Sequence, residues 1–128
     1  MNTTIHAERD SVCMGDDVTA PNEAELEVRG DMQLSGWLRT VADYVPEMED
    51  VIWSVHEKNR AGRVLALLHF DENRTCSIDL QVQDIPMQRA GFDAVFCAYF
   101  YRDMLGLKAI GGKLTFAEKV LAYLRQSR

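Results

Sequence analysis

The amino-acid sequence predicts an α+β domain: an antiparallel sheet of about five strands with two or three helices packed on one face. Three patterns carry this expectation. Short segments such as Glu25 to Arg29 and Thr75 to Gln83 alternate apolar and polar residues, the period of a half-buried strand. One segment, Leu34 to Val45, repeats its apolar residues at helical spacing. A Thr115-x-x-Glu118 capping box then opens a last amphipathic segment. At 128 residues the chain is the size of one domain with one core, so residues 1–128 are read as a single unit.

Thr3 to Arg9 reads as the first strand. Met14-Gly15-Asp16-Asp17 has turn chemistry and Pro21-Asn22 marks a second break, so Asp10 to Ala24 forms a long connection. Glu25 to Arg29 follows as a strand with Leu26 and Val28 inward, and the two strands make a hairpin. Leu34, Trp37, Leu38, Val41, Ala42 and Val45 share one helical face; Asp31 is the expected cap and Pro46 the stop. A meander of three strands comes next: Val51 to Glu57, the more continuously apolar Arg63 to Phe70, and Thr75 to Gln83. Polar turns at 58–62 and 71–74 join them. Phe92 to Tyr101 fits a helical face through Phe92, Val95, Phe96, Tyr99 and Phe100, yet is apolar enough for a buried strand. Its polar flanks favour a helix. Phe116, Val120, Leu121 and Leu124 form the core face of the last helix. The expected core is completed by Trp53, Val55, Leu65, Leu67, Ile78, Leu80, Val82 and Phe96.

Charge narrows the function. Acids outnumber bases 20 to 14, which disfavours a nucleic-acid binder, because such a surface must be positive to displace counterions from phosphates. No apolar run reaches the roughly 20 residues of a membrane span, and Met1 to Asp10 is too polar for a secretory signal. The expected setting is cytoplasmic. The imbalance is concentrated: residues 1–31 hold eight acids against two bases, whereas residues 88–128 hold three acids against seven bases.

Signatures of catalysis and metal binding are weak. Cys13, Cys76 and Cys97 form no CxxC pair, and His6, His56 and His69 form no HxxxH or HExxH pattern. Gly106, Gly111, Gly112 and Lys113 fail the phosphate-loop spacing, since Gly112 stands where lysine is needed and Leu114 follows Lys113. Asp16 and Asp17 are adjacent rather than alternating, unlike a calcium loop. Cys13 with a histidine brought near by folding leaves a small hydrolase as one alternative. Docking of the basic C-terminal part on the acidic part of a second copy leaves a homo-oligomer as another. No catalytic residue, metal or cofactor is assigned.

The remaining feature is the acidic start itself. Crowded like charges cost stability, and a cationic partner supplies the compensating gain. Asp10, Asp16, Asp17, Glu23, Glu25 and Glu27 are the candidate partner-binding residues. The stretch from Ile5 to Pro21, IHAERDSVCMGDDVTAP, resembles the opening of small bacterial proteins whose build is similar to immunity proteins of polymorphic toxin systems, including contact-dependent growth inhibition. The resemblance covers roughly the first sixth of the chain. It implies a non-enzymatic protein that binds and neutralises a cognate basic toxin domain, such as a nuclease. It carries over no binding residue by position.

Overall fold

A computed structural model describes residues 3–12 and 22–126. The α+β expectation holds, with a six-stranded sheet in the order β2-β1-β6-β3-β4-β5. The strands are β1 (Thr3–Arg9), β2 (Glu23–Val28), β3 (Val51–Glu57), β4 (Val64–Phe70), β5 (Cys76–Leu80) and β6 (Ala94–Tyr101). The helices are α1 (Leu34–Tyr44), the single turn α2 (Leu105–Lys108) and α3 (Phe116–Gln126), with a 3-10 turn at Met87–Arg89.

Residues 94–101 form a strand, not the helix that their flanks favour. β6 lies between β1 and β3, and both of its faces are covered. Val95 and Cys97 point into one core, while Ala98 and Phe100 point into the other. A strand buried on both faces has no polar alternation, and a nearly all-apolar run matches a helical stripe by default. β6 also makes the sheet mixed rather than antiparallel. It runs parallel to β1, with Ala7 opposite Val95, and antiparallel to β3, with Val55 opposite Cys97.

Helices cover both faces rather than one. α1 buries Leu34, Trp37, Leu38 and Val41 against Ile5, Leu26, Trp53, Val55 and Leu68. α2 and α3 lie on the opposite side, where Leu107, Phe116 and Val120 meet Ile52, Leu67, Ala98 and Phe100. Of the expected core, Ile78, Leu80, Val82, Phe96, Leu121 and Leu124 are only half-buried. β5 is an outer strand and α3 covers the sheet only in part, so neither buries its apolar face fully.

The caps divide. Thr115 and Glu118 make the expected reciprocal box: the Thr115 amide donates to Glu118 Oε1 at 2.9 Å, and the Glu118 amide donates to Thr115 Oγ1 at 3.1 Å. α1, however, is not capped by Asp31. Its N-cap residue is Gln33, whose side chain makes no capping bond. Asp84, 49 residues away in sequence, accepts the Ser35 amide at 2.9 Å and the Ser35 hydroxyl at 2.6 Å. The segment after β5 crosses back to β6 beside the start of α1, where the Leu34 amide donates to the Ile85 carbonyl. That crossing delivers Asp84 to the positive end of the helix.

Candidate protein-binding face

β1 and β2 pair antiparallel with Thr4 opposite Glu27, His6 opposite Glu25 and Glu8 opposite Glu23. Because strand side chains alternate, this register sends Ile5, Ala7, Leu26 and Val28 beneath α1. The same register sends His6, Glu8, Glu23, Glu25 and Glu27 to the other side. The core beneath α2 and α3 contains no residue of β1 or β2 among the described residues, so no helix packs over this half of the face. Glu8, Glu23 and Glu25 keep between 50% and 67% of their side-chain surface exposed, which makes the carboxylates accessible to a partner.

His6 sits among them. Its Nδ1 lies 3.0 Å from Glu25 Oε1, and its Nε2 lies 3.2 Å from Glu23 Oε1 and 3.3 Å from Glu8 Oε1. The hydrogen bond to Glu25 leads the causes that raise the His6 pKa above its usual 6.5, while partial desolvation opposes it. When protonated, this ring offsets part of the charge of Glu8, Glu23 and Glu25. His6, Glu8 and Glu23 also bring three ligand atoms within 4.8 Å of one another, a donor set that suits a dication. Charge pairing of a protonated His6 with the two carboxylates accounts for the same spacing.

Of the six residues expected from the sequence, the four that are described do not share one patch. Glu23, Glu25 and Glu27 do, joined by Glu8, which sequence reasoning passed over. Its signal was available: Glu8 lies two residues from His6, hence on the same strand face. Asp10 stands apart and is largely used up within the fold. Its carboxylate pairs with Arg60 in the β3–β4 turn and accepts the Tyr99 amide at 2.9 Å. Asp16, Asp17 and Cys13 lie outside the described residues.

Among the described residues, Cys76 and Cys97 offer no ready thiolate, and His69 Nε2 lies 3.6 Å from Asp50 Oδ1. Cys97 is fully buried, and burial pushes its thiol up to about 12, which removes the thiolate a nucleophile needs. Burial likewise raises the Cys76 thiol. The unexpected polar pair is Ser54 and His56, both buried on β3. Ser54 Oγ lies 2.7 Å from His56 Nε2, and His56 Nδ1 lies 3.2 Å from the Gly62 carbonyl. With the proton on Nδ1, the imidazole donates to that carbonyl and accepts from the serine. This is the order of a nucleophile, base and orienting group. Ser54, however, has no exposed surface for a substrate to reach, and the relay ties β3 to the β3–β4 turn. Ser-x-His on a strand is the sequence signal for such a pair. The chain matches no protein-family model, no curated protein and no solved structure.

Proposed function

We propose that this protein is a non-enzymatic acidic binding module that acts in the cytoplasm and neutralises a cognate basic toxin domain. The carboxylates of Glu8, Glu23, Glu25 and Glu27 form the contact surface. The observation that carries this reading is the placement of four glutamates on the half of the sheet face over which no helix packs among the described residues. Glu8 and Glu23 are direct cross-strand partners, an arrangement of like charges that works against the hairpin. A cationic partner turns that repulsion into attraction and speeds encounter through long-range steering. The same charges oppose self-association, because two copies of the outer strand β2 brought edge to edge would set acid beside acid.

The test is binding of the basic C-terminal domain of a secreted protein encoded beside this chain, measured by surface plasmon resonance at rising salt. The association rate is expected to fall steeply with ionic strength. Reversal of Glu23, Glu25 and Glu27 to lysine together is expected to cut the association rate at least tenfold at low salt. Unchanged rates and an unchanged salt slope in that variant remove this contact surface. A neighbouring operon of metabolic enzymes, with no basic toxin domain, removes the functional reading.

A further inference from the structure

α3 is seated on the sheet at one end only. Phe116 and Val120 are buried, while Leu121, Tyr123 and Leu124 in the later turns are half-buried. Beneath those turns lies a cleft of about 760 Å³. Its floor is Val64, Ala98 and Phe100, its far wall is His56 and the β3–β4 turn, and its roof is Tyr123 and Leu124. A smaller cleft of about 250 Å³ adjoins it across Val64 and Leu124 and reaches Arg63 and Arg125.

Tyr123 props the cleft open. Its ring stands edge-on to Phe100, with centroids 5.7 Å apart and planes at 73°. It also lies flush on Gly106 of α2, where an added Cβ would fall 2.8 Å from the ring. The volume falls within the range of small-molecule sites, and the lining is of the usual kind, mostly apolar with a few polar groups at the mouth. Charge then selects the occupant. Although the protein carries a formal net charge of −6, Arg60 lines the larger cleft, and Arg63 and Arg125 line the smaller one that continues it past Val64 and Leu124. Arg60 pairs with Asp10 and lies 4.5 Å from the Phe96 ring centroid, and Arg63 pairs with Glu57. Among the described residues Arg125 is the one arginine of the three without an ion pair.

We propose that the two adjoining clefts under the last turns of α3 together bind a small amphiphilic anion, a medium-chain carboxylate. Its apolar chain lies on Val64, Ala98 and Phe100 beneath Leu124, and its carboxylate meets Arg125. The site is separate from the glutamate face and does not depend on its role.

The test is calorimetric titration of the full-length protein with sodium decanoate below its micellar concentration, with decanol and decyltrimethylammonium as chain-matched controls. One equivalent of decanoate is expected to bind, and both controls are expected to bind at least tenfold more weakly. Arg125→Ala is expected to weaken decanoate about tenfold, the loss of one charge-assisted contact. Leu124→Trp, at a half-exposed position, is expected to fill the cleft and abolish binding while circular dichroism shows the native fold. Amide shifts of the wild-type protein should centre on Ala98, Phe100 and Leu124, which locates the ligand even if a variant fails to fold. No heat with decanoate, equal binding of decanol, or shifts confined to another surface overturns the proposal.

Discussion

His6 shows how a single ring responds to the charges set around it. Hydrogen bonding to Glu25 holds its pKa above 6.5, so the ring keeps its proton further into the neutral range than a free histidine does. The stabilisation from this contact is fully present below pH 6.5 and is lost as pH rises through the raised folded value. The imidazole Cε1 proton, followed by NMR, should titrate with a midpoint above 6.5, and Glu25→Gln should bring the midpoint down. An unshifted midpoint in wild type would show that the ring does not hold these carboxylates. Gly62 illustrates a different constraint, that of space. A Cβ there would sit 1.6 Å from the Glu57 carbonyl oxygen, and the contact is with backbone that cannot turn aside. Gly62→Ala is expected to destabilise the protein by about 2–4 kcal/mol in urea unfolding, the cost of strain together with loosening of the His56 bond to this turn. A loss under about 0.5 kcal/mol would show that the turn rearranges freely.

Among the elements, the two long helices are started by different means. α3 carries its own reciprocal box, and Thr115→Ala is expected to cost about 1 kcal/mol by chemical denaturation. α1 depends on Asp84, which the chain brings back after β5, 49 residues from Ser35. Bonds from the Ser35 hydroxyl and amide lower the Asp84 pKa below 3.8. Its contribution is therefore present above pH 3.8 and is lost as pH falls through the lower folded value. Asp84→Ala should lower the melting temperature at pH 7, and the difference from wild type should shrink toward pH 3. A difference that stays constant with pH would place the effect in packing rather than in the cap. β6 shows the limit of local pattern. Its residues satisfy helical spacing, and only its insertion between β1 and β3 gives every second side chain a separate core to fill.

For the whole molecule, the sheet separates charge by face and by half. One face is closed by α1. The other is divided between the glutamates of β1 and β2 and the region beneath α2 and α3, with its two adjoining clefts lined in part by Arg60, Arg63 and Arg125. Repulsion between Glu8 and Glu23 is strongest once His6 has lost its proton. At pH 8.5 and low salt, Glu23→Gln is therefore expected to raise the melting temperature by about 1–3 °C. The gain should fade as salt screens the pair. A fall in melting temperature would show that Glu23 is held by attraction and that the ladder carries no stored repulsion.

By itself the sequence determined what depends on near neighbours along the chain: the α+β class, the extent of the first strand, the face of α1 and the Thr115–Glu118 box. It also located the acidic excess, because composition needs no fold. Tertiary structure decided which carboxylates meet. Glu8 joins Glu23, Glu25 and Glu27 through strand register, while Asp10 is drawn off to Arg60, 50 residues later. It also decided the place of β6, the cap of α1 by Asp84 and the pairing of Ser54 with His56. The physical reason is the same in each case. Periodicity reports which side of an element is apolar, but not which distant element will cover that side or bring it a hydrogen-bonding partner.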